Sequence, residues 1–506
     1  MNYLKDIILT FSNEERKKFI TYLDSKNKRN DAKNIKLFNL LLKDNLSASD
    51  ICSKLYGSQK KDAYHALRKR LHQSVIDFTA NQSLHQESST DMQIIKCILA
   101  SKSFLQQRQY KIAYKTLDKA HMLATEYQHY PLLNEIYHIK IQYAFANPNI
   151  KLDALISEFK NNQKQLFLED ELNLVYAKIR QTLNDISFKG KVIDFQTLWQ
   201  TTLKEHHIDI NDALSFKSLY QLITIASISA FITKDYLKIE PFLISTYKSI
   251  NAYKGKNKQL YYHILILFAI ANALFRNKKF KESLYYINLM HEHMLMNKSK
   301  HYNTFKLKHS LLLALNLNYS NKQLLAINTL IPFVNKKHPD TEAWLDICLS
   351  LIVFYFQKND LDNAKKLFTK FYHTDTYYTE KAGKEWVIKK NLIEILLHIE
   401  LNNIDLVESR LLSFKRQHTQ YLKHINQERV LIYLSFVETY YKNPELATTK
   451  AFKDNVENSF DWIKSHKEDI FVMSFYCWLK SKMNNTNLFE TTLHLVKKAQ
   501  QELTIP

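Results

Sequence analysis

Glycine is nearly absent: four residues in 506, at Gly57, Gly190, Gly255 and Gly383. Sheet proteins and nucleotide-binding α/β folds need glycine at turns, bulges and phosphate loops. So few glycines predict helices joined by short polar turns. No two lie close enough to form GxGxxG, GxxxxGKS/T or GxSxG, which sets aside the common dinucleotide, P-loop and α/β-hydrolase readings. Proline is also scarce, at seven.

Cysteine is equally short. Cys52, Cys97, Cys348 and Cys477 are far apart and make no CxxC, so neither a zinc site nor a local disulfide is indicated. Free buried thiols in a reducing cytosol are the expectation. The opening MNYLKDIILTFSNEERKKF lacks a signal-peptide pattern. The longest uncharged stretches, Gln259–Phe275 and Ser218–Thr233, contain polar residues and fall short of the roughly 20 apolar residues of a membrane span. They read as buried helices, and the chain reads as cytoplasmic, with no membrane span and no cofactor.

Acidic residues are outnumbered, 50 against 71 Lys and Arg, for a formal charge of +21. Such a balance favours an acidic partner: nucleic acid, an anionic surface or an acidic protein. Solvated lysines on helix faces fit it as well.

What the chain does have is an internal period. A short polar turn is followed by an aromatic or aliphatic residue, a small residue three later, and apolar residues four and seven beyond. In QRQYKIAYKTLDKA these are Tyr110, Ala113, Leu117 and Ala120. NKKFKESLYYINLM supplies Phe280, Ser283, Ile287 and Met290, and KNDLDNAKKLFTKF supplies Leu361, Ala364, Phe368 and Phe371. Nine residues before the first position stands a small residue in two copies, Ser101 and Ala271, and Ile352 in the third. Weaker copies start near Leu152, Phe195, Tyr236, Gln323, Leu406, Leu446 and Leu488, spaced 38 to 45 residues apart. A lone helix pair cannot bury both faces; stacked pairs with small residues at the crossings make one continuous core.

This pattern resembles the second half of the tetratricopeptide (TPR) motif. The glycine usual at the earlier small site is missing, and the period exceeds the consensus of about 34, so the copies are degenerate and the spacing also suits other α-solenoids. The resemblance implies an all-α fold: a right-handed α-solenoid of about ten TPR-like helix pairs over residues 91–506. Residues 1–90 precede it as a small helical domain.

That N-terminal segment reads as four or five helices. Ser12-Asn13-Glu14-Glu15 is a capping box opening a helix to about Leu23. Asp31–Leu42 places Ile35, Phe38, Leu41 and Leu42 on one face. Ser47 to Asp50 opens a short helix ending at Tyr56, with Gly57 as C-cap, and Lys61–Leu84 is a long amphipathic helix. Short helix, glycine turn, longer basic helix is the order of a helix-turn-helix. Arg68, Lys69 and Arg70 would then meet phosphates; they equally suit a solvated face. The segment also resembles helical domains that precede TPR-like arrays in bacterial proteins, where a motif like SNEERKKF opens the chain.

No constellation points to catalysis. His206-His207 and His291-Glu292-His293 lack HExxH spacing and read as exposed polar side chains. Glu169-Asp170-Glu171 reads as a cap or turn. Trp199, Trp344, Trp386, Trp462 and Trp478 read as core, and WLDICLSLIVFYFQK is apolar nearly all round, hence interior. Two functions follow as expectations. The first is a non-enzymatic scaffold or adaptor holding a protein or peptide, acidic in character, in its groove. The second is a regulator whose basic N-terminal domain binds nucleic acid while the array senses a partner.

Overall fold

A computed structural model describes residues 3–11, 13–26, 33–42, 46–58, 60–86, 90–189, 201, 205, 215–233, 235–252, 259–335, 338, 340–459 and 468–502. Every regular element among them is helical. None of these helices is long and apolar enough to cross a membrane. Ser12, Phe195, Trp199, His206, His207 and Trp462 lie outside the described residues. The chain divides into two compact units, Met1–Asn162 and Gln163–Pro506.

The first unit opens with α1 (Tyr3–Thr10), α2 (Asn13–Lys26), α3 (Lys33–Leu41), α4 (Ala48–Tyr56) and α5 (Lys61–Gln86). These share a core of Leu4, Ile8, Phe19, Leu23, Phe38, Leu71 and Phe78. The sequence signals at α4 are realised. The Ser47 hydroxyl accepts from the Asp50 N–H, the Asp50 carboxylate accepts from the Ser47 N–H, and Gly57 closes the helix at φ 69°. Then come α6 (Thr90–Gln106), α7 (Tyr110–Glu126), α8 (Tyr130–Gln142) and α9 (Leu152–Lys189), within which the unit boundary falls. Ala113, Leu117 and Ala120 are fully buried against Ile94, Ile98 and Ile136, and Tyr110 packs at the edge.

The second unit continues with α10 (Phe216–Thr233), α11 (Glu240–Ala252), α12 (Leu260–Arg276), α13 (Phe280–Ser299), α14 (Tyr302–Tyr319), α15 (Gln323–Val334), α16 (Thr341–Gln357) and α17 (Leu361–Phe368). It ends with α18 (Asp375–Ala382), α19 (Lys384–Glu400), α20 (Ile404–His424), α21 (Arg429–Lys442), α22 (Lys450–Ser459), α23 (Ile470–Asn484) and α24 (Leu488–Glu502). Most helices pack on a chain neighbour, and the first helices of successive pairs also meet: α10 on α12, α12 on α14, α14 on α16, α16 on α19. Phe280, Ser283 and Ala364 are buried at the crossings, whereas Leu361 and Phe368 are half-buried at the rim.

One turn recurs, and it explains how a chain almost without glycine ends its helices. Arg108, Gln128, Lys278, Asn321, Asn359, Asn402, Asn426 and Asn485 all adopt left-handed backbone, φ 50–62°. In each case the next N–H reaches the carbonyl five residues back, as in Lys279 to Leu274 (2.9 Å), Lys322 to Leu317 (2.9 Å) and Asp360 to Tyr355 (2.8 Å). This is the Schellman closure, in which asparagine tolerates the position better than other residues bearing a Cβ.

The last pair does not simply extend the row. Ile470 and Met473 of α23 and Val496 and Ala499 of α24 pack with Ala271, Phe275, Phe280, Leu312 and Tyr319, so the array in this unit closes on its own earlier helices. On its other side α23 joins the core of α21 through Phe475, Trp478 and Leu479.

Several local expectations are corrected. Helix α17 stops at Phe368, so Phe371 lies in a turn; α18 follows, capped by Thr374. Leu446 falls in a short 3-10 segment, Pro444–Thr448, because α22 begins only at Lys450. Glu169-Asp170-Glu171 forms neither a cap nor a turn but lies inside α9, where buried Glu169 accepts a 2.5 Å bond from the Ser215 hydroxyl. His291 and His293 are not exposed. His293 is buried 4.3 Å from the ring of His263, and half-buried His291 packs 5.0 Å from His309.

Candidate functional site

Three places in the fold gather chemistry. The first is a cavity of about 520 Å³ between α11 and α13, lined by Glu240, Ile244, Leu274, Lys279, Lys281, Glu282, Tyr285 and Tyr286. Ile244 and Leu274 give an apolar lining. Tyr285 is 63% exposed and stands edge-on to Tyr286 at 5.2 Å. Tyr286 in turn meets Tyr247 at 5.5 Å, and burial raises the hydroxyl pKa of both, of Tyr247 to about 12, so they remain donors at neutral pH. Glu240, in the first turn of α11, is fixed by Lys279 at 2.6 Å and by the Asn277 amide at 2.7 Å. Lys281 and Glu282 offer one charge of each sign. The lining holds no nucleophile–base pair. An apolar or aromatic side chain with a polar backbone fits it.

The second is a charged seam where α23 returns. Arg276, at the end of α12, is ion-paired with Asp469, which caps α23. Lys278 donates to the Glu468 carbonyl at 2.9 Å, and its ammonium is pushed down to about 8 by burial. Arg429 of α21 holds the Glu468 carboxylate at 2.9 Å. Farther along, the Trp478 indole N–H donates to Glu400 at 2.6 Å, and Lys482 reaches the same carboxylate. Beside the seam Asp346 of α16 is half-buried, its carboxyl raised to about 7 by burial and by Glu342 one turn away. Lys389 faces it but is paired with Glu385 at 3.1 Å. These groups join distant segments of one unit. Among the described residues no group of three His, Cys, Asp or Glu could hold a metal ion. The four thiols are unpaired, and burial raises Cys348 and Cys477 to about 12, which leaves them unreactive.

No family model matches the chain, and no curated protein or solved structure matches it.

The third place is the outer face of α5. The basic run is split by the helix. Arg68 is half-buried, with its guanidinium 5.7 Å over the Tyr64 ring. Lys69 and Arg70 face solvent, and Arg70 donates to the Ala66 carbonyl at 3.4 Å. Sequence reasoning missed Lys60, Lys61 and His65, which are also exposed. Their four-residue spacing, Lys61–His65–Lys69, was the available signal.

Proposed function

We propose that the chain is a non-catalytic adaptor, a right-handed TPR-like solenoid of about ten helix pairs, that holds a protein or peptide partner. The partner's seat is the cavity between α11 and α13; α23, which packs on the earlier helices, keeps Ile470, Cys477, Trp478 and Leu479 buried. The observation that carries this reading is Tyr285: a large aromatic, 63% exposed, beside an apolar lining. Tyrosine in such a place is the usual anchor of a protein interface. Lys281 is exposed and has no ion-pair partner among the described residues. The occupant is therefore a segment that sets an apolar side chain on Ile244 and Leu274 and an acidic group on Lys281.

Site-specific photo-crosslinking in cells tests the reading. A photoreactive residue at Tyr285 should give one discrete adduct, absent when it stands at Tyr372, a still more exposed tyrosine of the same unit. Ile244→Lys should abolish the adduct. An identical adduct pattern at both positions, or none at Tyr285, defeats the proposal.

A further inference from the structure

We propose that the first unit binds duplex DNA through the turn after α4 and the solvent face of the first half of α5. This rests on no part of the adaptor reading. From Lys54 to Arg70 the chain holds six basic residues and a single acid, Asp62. Lys60, Lys61, Lys69 and Arg70 are exposed and have no ion-pair partner among the described residues; Lys54 is exposed one turn beyond Asp50. The opposite face of α5 is committed to the core through Tyr64, Leu67, Leu71 and Val75, at most 4% exposed. Lys61, His65 and Lys69 therefore lie in one outward row, about 6 Å apart along the axis.

Hydrogen bonds fix the end of α4. Gly57 holds φ 69° and donates to the Ser53 carbonyl at 2.8 Å. The Tyr56 hydroxyl donates to the Ala63 carbonyl at 3.0 Å, tying the end of α4 to the start of α5. A Cβ on Gly57 would meet nothing within 4 Å, so the outside of the turn is open. A helix, a glycine C-cap and then a second helix exposing basic residues in its N-terminal half is the order of a helix-turn-helix, whose second helix enters the major groove.

Two features select duplex DNA over other anions. A-form RNA has a major groove too narrow to admit the helix. The first large apolar residue exposed on α5 is Ile76, beyond the basic half, so a membrane surface finds no anchor there. A row of lysines suits phosphate contacts, which are sequence-independent and salt-sensitive.

The test uses the full chain and a labelled duplex of about 20 base pairs, with anisotropy read at rising salt. Lys61→Glu with Lys69→Glu should weaken binding about ten-fold or more and reduce the salt slope by about two. Lys111→Glu with Lys115→Glu makes the same charge change on α7, whose row Lys111, Lys115 and Lys119 is also exposed. At about 0.1 M salt, screening over about 10 Å should hold that control near wild type. Lys61→Gln with Lys69→Gln gives the same direction with less demand on folding, and circular dichroism confirms helix in all variants. Equal losses from the α5 and α7 variants overturn the assignment. So does absence of salt-dependent duplex binding, or tighter binding to an RNA duplex, an acidic protein or anionic vesicles.

Discussion

The Ser283 hydroxyl on α13 donates to the Ala271 carbonyl on α12 at 2.8 Å, and neither residue keeps any exposed surface. Two helices approach this closely only where both contribute a small side chain, so the bond marks the crossing point of the pair. Ser283→Leu should overpack that crossing and cost about 1–3 kcal/mol. Ser283→Ala should cost about 1 kcal/mol, the net value of one hydrogen bond. All five tryptophans lie in the second unit, so their emission during urea unfolding reports on that unit alone. A Leu variant with an unchanged midpoint would mean the crossing is loose.

The left-handed turns make a second, independent prediction. Asn359 sits at φ 62° between α16 and α17. Asn359→Ala should destabilise the second unit by about 1 kcal/mol, the cost of a Cβ in that region. Asn359→Gly should stay within about 0.5 kcal/mol of wild type, because relief of strain is offset by a freer unfolded chain. If both substitutions are equal, the turn is not set by backbone conformation.

These turns also show why so much of the fold was legible. Tyr110, Phe280, Gln323, Leu361 and Leu488, chosen from the residue pattern alone, are each the first residue of a helix. Leu406 falls two residues inside α20. A Schellman turn fixes the next helix start locally, so a local pattern suffices to find it. Helix α18 was missed although Thr374 and Gly383 bracket it as cap and stop. The return of α23 was not legible, because Arg276 and Asp469 stand 193 positions apart and no local rule joins them. Its one trace is FVMSFYCWL, residues 471–479, apolar on nearly every side of a helix. In the basic run, sequence order put Arg68, Lys69 and Arg70 together; the helix turned Arg68 toward Tyr64 and set Lys69 in line with Lys61 and His65 instead.

Asp346 gives the unit a pH dependence of known sign. Its carboxyl is raised from 3.8 to about 7 in the folded state. Between those values the folded chain keeps a proton that the unfolded chain has lost, so stability falls as pH rises through that window. His309 and His418, each lowered from 6.5 to about 4 by burial, act in the opposite sense over most of it. The difference between Asp346→Asn and wild type isolates the one group. It should be smallest below pH about 4, grow in favour of the variant as pH rises, and level off above about 7, following one proton. A flat difference would place the Asp346 carboxyl in contact with solvent.

Closure of the second unit rests on Asp469, which has two separable roles. It caps α23 by accepting from the Phe471 and Val472 N–H groups at 3.0 and 3.4 Å, and it pairs with Arg276. Asparagine can still cap but cannot pair; alanine can do neither. Loss of the cap costs about 1 kcal/mol. The Arg276 side chain is 30% exposed, so losing the ion pair should cost about 1 kcal/mol and not the larger value of a fully buried pair. Asp469→Asn should therefore destabilise by about half as much as Asp469→Ala. Amide exchange in α23 and α24 should quicken in both variants while α1–α5, which belong to the other unit, keep their protection. If α23 exchanges no faster in Asp469→Ala, its apolar contacts with Ala271, Phe275 and Tyr319 hold the closure without the polar seam.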